Sequence, residues 1–176
     1  MFLSYFITDP EYPLNQIFKA LDFFKPDFVC YRNKKYFNES EIIKFAKYAK
    51  KRSKIFINYD SLKNENLLEL FDGVHLPSHA LEKIETFKNL NKLVIASTHD
   101  EKEAKKAAKA DFITFSPVFD SKGRKGLGIK KLNEICEIHP SVIGLGGIIT
   151  QKEVNLIKNS KAKGFGSIRY FLHNFM

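Results

Sequence analysis

Tryptophan is absent, and cysteine is scarce: the 176 residues hold only Cys30 and Cys136. The two stand far apart, with no C-x-x-C pair and no cysteine–histidine cluster at zinc spacing. That argues against a disulfide framework or a structural zinc and fits a reduced, cytoplasmic protein. No apolar run reaches the roughly 20 residues of a membrane-spanning helix. The opening run Met1-Phe2-Leu3-Ser4-Tyr5-Phe6 has no basic leader and runs directly into Thr8-Asp9-Pro10, so it reads as a first strand and not as a signal peptide. Acidic residues are outnumbered, 20 against 29 lysines and arginines, for a net charge of +9. A basic balance draws anionic partners. There is, however, no arginine-rich block and no RNA-binding signature. The lysines are scattered over predicted helices, as at Lys102, Lys105, Lys106 and Lys109, and read as solvated helix faces. Neither a nucleic-acid nor a membrane partner is expected.

Phenylalanine is plentiful, at 17 residues in a chain that is 44% hydrophobic. Such residues fill core volume, and the composition is that of a globular chain. Short apolar, β-branched runs alternate with charged segments of helical period. The runs at 2–7, 27–31, 55–58, 73–76, 93–97, 112–115, 142–145 and 164–166 read as strands buried on both faces. Between them lie helix-period segments: Leu14, Ile17, Phe18 and Leu21; Ile42, Phe45, Ala46 and Ala49, with Asn38 or Ser40 as N-cap; 62–71; Leu81, Ile84 and Phe87; Ala104, Ala107 and Ala108; Leu132 and Ile135; Val154, Leu156 and Ile157; and 168–175. Strand–helix alternation implies a parallel sheet. Eight repeats predict one closed α/β domain, a TIM (β/α)8 barrel over residues 1–176. About 250 residues is typical of that fold, so its helices and loops must be trimmed.

In such a barrel the ligand site is built after the strands. Strand seven exits at Gly146-Gly147 and strand eight at Gly166-Ser167. Glycine lets backbone N–H groups approach an anion closely, and loops seven and eight are the usual phosphate position. Arg32 and Lys34, two residues apart after strand two, suit a carboxylate or phosphate. The stretch 120–128 is a polar, glycine-rich loop, and its part from Lys122 to Gly128, with Lys122, Arg124 and Lys125 among glycines, reads as a mobile lid bringing positive charge over an anion. His99 is the best proton-transfer candidate, since imidazole titrates near neutrality, and Ser97 shares its side of the strand. His75, inside an apolar strand, reads as a buried, hydrogen-bonded core residue. His79 and His139 have no evident role.

Read together, these exits resemble the thiamine phosphate synthase and TenI family. The resemblance runs through Tyr5-Phe6-Ile7-Thr8-Asp9, Arg32 with Lys34, Asn58, Asp72-Gly73-Val74-His75-Leu76, Ser97-Thr98-His99 followed by Glu103-Ala104, Ala110-Asp111-Phe112-Ile113, Ser116-Pro117-Val118-Phe119 and Ile143-Gly144-Leu145-Gly146-Gly147-Ile148. It covers nearly the whole chain.

The resemblance implies a phosphorylated thiazole or thiamine-related ligand and, as in many such barrels, a homo-oligomer. The synthase branch joins an aminopyrimidine pyrophosphate to a thiazole phosphate and uses Mg²⁺. Here Tyr59 and Ala80 stand where its metal carboxylates fall. Asp60 is adjacent but would point to the other side of an extended strand. Cys30 replaces its pyrimidine-binding glutamine, and Arg124 at best its loop lysine. The TenI branch has no such metal site and shares a run like Arg124-Lys125-Gly126-Leu127. It includes thiazole tautomerases, which shift a proton on a thiazole carboxylate phosphate so that the ring becomes aromatic.

The resemblance therefore implies a thiazole tautomerase with no metal or cofactor. His99 would be catalytic. Arg32, Lys34, Asn58, Ser97, Ser121 and Arg124 would bind the substrate, and Gly146, Gly147, Gly166 and Ser167 its phosphate. A divergent Mg²⁺-dependent synthase and a non-catalytic sensor of thiamine phosphates are the alternatives.

Overall fold

Alternation along the strands decides which side chains fill a barrel and which meet its helices. The computed structural model describes residues 1–175. Its strands are β1 (Leu3–Ile7), β2 (Phe28–Tyr31), β3 (Lys54–Asn58), β4 (Gly73–Leu76), β5 (Leu93–Thr98), β6 (Phe112–Phe115), β7 (Val142–Leu145) and β8 (Gly164–Ser167). Each pairs in parallel with its sequence neighbours, and β8 pairs with β1. The (β/α)8 barrel expected from the sequence is the fold.

One face of each strand points into the lumen, where Tyr5, Ile7, Phe28, Cys30, Phe56, Ile95 and Ile143 form a cluster of their own. The Phe28 ring lies 5.2 Å from Phe56 and 5.1 Å from Phe112, centroid to centroid. The opposite faces carry residues such as Phe6, Val29, Ile55, Val74, Val94, Ile113 and Val142 against the helices. Burial on both sides is why the strands read as unbroken apolar runs.

The helices are α1 (Leu14–Phe24), α2 (Glu39–Ala49), α3 (Ile84–Asn89), α4 (Glu101–Lys106), α5 (Gly128–Cys136), α6 (Gln151–Lys158) and α7 (Arg169–His173). Asn38 caps α2, its side chain accepting the Glu41 N–H. The trimming is severe: α3, α4 and α7 have six, six and five residues.

The sequence reading of one helix over 62–71 is corrected. The β3–β4 connection instead contains two 3₁₀ turns, Tyr59–Ser61 and Glu65–Leu70. Asn58 and Asn64 each cap a turn with their side chains, which restarts the chain twice. A 3₁₀ turn also rises about 2.0 Å per residue against about 1.5 Å in an α-helix, so few residues return the chain along the barrel. Ser78–Lys83, ahead of α3, is likewise 3₁₀.

Three aspartates tie the end of the barrel away from the strand exits. The carboxylate of Asp27, just before β2, accepts the Ser4 N–H of β1 at 2.8 Å. Asp72, before β4, accepts Ile55 N–H of β3 at 2.8 Å, and Asp111, before β6, accepts Val94 N–H of β5 at 2.8 Å. Asp72 and Asp111, which belong to the motifs quoted above, therefore act on strand registration at the end remote from any ligand. His139 is at the same end, buried, its ring nitrogens bonded to Ala110 O (3.1 Å) and Ser141 N–H (3.0 Å).

Candidate active site

At the strand exits the inward positions turn polar. Asn58, His75, Ser97 and Thr114 follow the lumen residues Phe56, Ile95 and Phe112 along their strands or stand level with them. They line a cavity of about 580 Å³ that opens between the loops. Of the residues the sequence singled out, Arg32, Lys34, Asn58, Ser97, His99, Ser121, Arg124, Gly146, Gly147 and Ser167 all line it. Gly166 does not. A β-carbon on Gly166 would meet Leu145 Cδ1 at 3.0 Å and Tyr5 Cδ1 at 3.3 Å. Its lack of a side chain makes room in the barrel wall below the cavity.

His99 follows β5 directly. Its Nδ1 lies 3.0 Å from Glu103 Oε2, and its backbone N–H donates to the same oxygen at 2.7 Å. Asp100 caps α4 by accepting the Glu103 N–H at 2.8 Å, which fixes where that carboxylate starts. An ionised carboxylate only accepts hydrogen bonds, so Nδ1 carries the proton. In the neutral ring this leaves Nε2 as the basic nitrogen.

Lys34 pairs with Asp60 Oδ2 at 3.0 Å, and His79 Nε2 lies 3.2 Å from Asp60 Oδ1. Asp60 therefore does not turn to the far side of a strand, as its extended-chain reading held. Strand β3 ends at Asn58, whose side-chain oxygen accepts Asp60 N–H at 3.1 Å and starts a 3₁₀ turn. The turn sets Asp60 against Lys34 and His79, which line the cavity, while Asp60 itself lines a neighbouring depression with Asn33 and Ser61. Burial works to raise the Asp60 carboxyl, but Lys34 and then His79 outweigh it and hold it below the usual carboxylate range.

Gly146 and Gly147 have φ of +100° and +71°. A β-carbon on Gly147 would fall 2.6 Å from Asp120 O and 2.7 Å from Phe119 Cβ. The pair thus both turns the chain and lets the β6 loop press against it. Ser167 is buried, and its hydroxyl donates to Ile148 O (2.7 Å) and accepts Tyr170 N–H (3.1 Å). That hydroxyl ties α7 to the loop after β7, which leaves backbone groups to face a ligand.

The loop expected to be a lid forms a tight hairpin. Ser121 and Arg124 exchange backbone hydrogen bonds (2.9 and 3.0 Å) around Lys122 and Gly123, both at positive φ. Val118 N–H to Leu145 O (2.8 Å) and Phe119 N–H to Gly146 O (3.1 Å) fasten its base to β7 and the turn beyond it.

Several lining residues escaped the sequence reading. Arg169 and Lys122 add positive charge, while Asp9 and Glu11 sit at the rim. Arg169 stands directly after the Gly166-Ser167-Ile168 exit, a signal that was available. His75 is buried and hydrogen-bonded as expected, yet it also lines the cavity. His79 lines it as well and has the Asp60 contact. Among the described residues, Arg32, Lys122, Arg124 and Arg169 have no carboxylate partner, so the cavity holds unneutralised positive charge.

The described residues do not by themselves assemble a complete Mg²⁺ site. Octahedral oxygen coordination is required. Among the described residues no three His, Cys, Asp or Glu side chains are grouped to hold an ion, and the Asp60 oxygens already face Lys34 and His79. No helix among the described residues is long and apolar enough to cross a membrane.

No curated protein sequence matches the chain. Solved structures do. Thiamine phosphate pyrophosphorylase from Pyrococcus furiosus superposes with a TM-score of 0.76 at 23% identity, covering 94% of this chain and 85% of that one. Phosphoribosyl anthranilate isomerase gives 0.73 at 10% identity, over 99% and 90% of the two chains. (S)-3-O-geranylgeranylglyceryl phosphate synthase from Thermoplasma acidophilum gives 0.67 at 12%, over 99% and 87%. At these identities the likeness is one of fold. The sequence carries the relationship further: the model of the thiamine monophosphate synthase family matches residues 4–171, and the chain belongs to that family.

Proposed function

We propose that the protein is a thiazole tautomerase of the TenI type, moving a proton on a phosphorylated thiazole carboxylate. The observation that carries this reading is the His99–Glu103 pair on the wall of a cavity with unneutralised positive charge. Glu103 keeps the proton on Nδ1, so Nε2 accepts a proton from the substrate, and the resulting imidazolium, facing the carboxylate, returns it to the new position. Atoms balance within the substrate, and no co-reactant is consumed. Arg32 and Lys34 face the substrate carboxylate. The phosphate lies against the backbone of Gly146, Gly147 and Ser167, with Arg169 and Arg124 supplying charge; Asn58, Ser97 and Ser121 make the remaining polar contacts.

A second reading, a divergent synthase, draws support from Asp60. The 3₁₀ turn sets it beside Lys34 and His79, both of which line the cavity, where a synthase would need a carboxylate for its metal.

One assay separates the readings. Purified protein is offered the thiazole carboxylate tautomer, and separately aminopyrimidine pyrophosphate with thiazole phosphate, each with and without Mg²⁺. Tautomerisation without metal is expected, and His99→Ala should lower its rate by about 10² or more. An unchanged rate in His99→Ala removes the assignment. Mg²⁺-dependent thiamine phosphate formation overturns it in favour of the synthase, and ligand binding without either turnover points to a sensor.

A further inference from the structure

At the cavity floor, three polar side chains from three strands touch in series. Tyr5 on β1 is fully buried, and its hydroxyl lies 2.7 Å from His75 Nδ1 on β4. His75 Nε2 lies 2.8 Å from Ser97 Oγ on β5, and Ser97 lines the cavity. The sequence suggested only a hydrogen-bonded core histidine here.

The direction of these bonds follows from counting donors and acceptors. A buried phenol must place its proton on an acceptor, because a donor left unmet there loses its hydration with nothing in exchange. Nδ1 of His75 is the strong acceptor within reach. The other neighbour, the Cys30 thiol, is a weak acceptor, and its own S–H is directed at Tyr31 O (3.6 Å). Tyr5 therefore donates to Nδ1. A neutral imidazole carries one proton, which is then on Nε2 and is donated to Ser97 Oγ. Burial, then the charges of Arg32 and Lys34, push the His75 pKa down to about 3, so the ring is neutral at physiological pH and both of its nitrogens are committed. With a lone pair of Ser97 occupied, its hydroxyl proton has no acceptor among the described residues and is left for the cavity.

We infer that Tyr5 and His75 are positioning residues that leave the Ser97 hydroxyl proton free for the cavity, so that Ser97 meets the ligand as a hydrogen-bond donor to a lone-pair acceptor, such as a ring nitrogen or carboxylate oxygen. The inference deepens the tautomerase reading and rests on it for the identity of the ligand. The bond polarity itself does not.

Two measurements test it. The first needs no ligand: ¹⁵N spectra of histidine-labelled protein at neutral pH, with His75 assigned by its loss in His75→Gln. A neutral ring protonated at Nε2 is expected, with the two tautomers mixing in Tyr5→Phe. Protonation at Nδ1 in the unaltered protein overturns the inference. The second is calorimetric binding of the thiazole carboxylate phosphate to the unaltered protein, Tyr5→Phe, Ser97→Ala and the double variant. Tyr5→Phe should weaken binding by up to about tenfold where Ser97 is present, the worth of one neutral hydrogen bond, and hardly at all in Ser97→Ala. Equal weakening in both backgrounds marks a purely structural Tyr5 and overturns the inference. If the unaltered protein fails to bind this ligand, the tautomerase reading falls, while the spectra still decide the polarity of Ser97.

Discussion

Oε2 of Glu103 serves both ends of His99, accepting the backbone N–H at 2.7 Å and facing ring Nδ1 at 3.0 Å. One carboxylate oxygen thus fixes where the residue leaves β5 and which ring nitrogen is free. The sequence interval of four is set by the first turn of α4, which Asp100 caps.

Replacing Glu103 by glutamine separates the two duties. The amide oxygen can still accept the backbone N–H, so stability should fall by no more than about 1 kcal/mol. A neutral amide no longer offsets the charge of an imidazolium, and the kcat of tautomerisation should drop about tenfold or more with KM little changed. Rate measurements on the variant check this, and an unaltered kcat would detach Glu103 from the chemistry.

His75 makes stability depend on acidity. Burial, with Arg32 and Lys34, lowers its pKa in the folded protein from 6.5 to about 3. Between those values the unfolded chain binds a proton that the folded one refuses, so stability rises with pH across the window and falls on acidification through it. The contribution reaches up to about 5 kcal/mol at the acid end, from about 1.36 kcal/mol per pH unit. His139, lowered chiefly by its own burial, acts in the same direction. Urea unfolding at pH 7.5, 5.5 and 4.5 should show this loss, and His75→Gln should flatten it. An identical slope in the variant would assign the acid sensitivity elsewhere.

Two glycines at similar φ provide a matched pair. Gly123, at +74°, has open space where a β-carbon would go, whereas Gly147, at +71°, has Asp120 O 2.6 Å from that point. Gly123→Ala should cost about 1–2 kcal/mol, the conformational term alone. Gly147→Ala adds displacement of the β6 loop and should cost about 2–4 kcal/mol. Denaturant melts of the two variants give the difference directly, and equal losses would show that the loop yields freely.

The sequence was sufficient for the barrel. Segments buried on both faces have to be apolar throughout, so β4, β6 and β7 were legible to the residue, and each missing or extra residue elsewhere lay at a strand end. Turn chemistry also marked the exits, and with them His99, Arg32 and the Gly146-Gly147 turn. What the sequence could not carry was every relationship that exists only once β8 has closed on β1. Tyr5, His75 and Ser97 are separated by 70 and 22 residues, and each taken alone is an ordinary strand residue. Their contact depends on three inward-pointing positions of different strands converging in the lumen. The contacts of Asp60 were hidden because a 3₁₀ turn that Asn58 starts sets its direction, and the packing of Gly166 against Leu145 and Tyr5 because a packing glycine and a ligand-approach glycine are the same letter. Periodicity records which face of an element is buried, and that is a local property. Which charges and hydrogen bonds share a cavity depends on strand register around the closed barrel, which the tertiary structure alone decides.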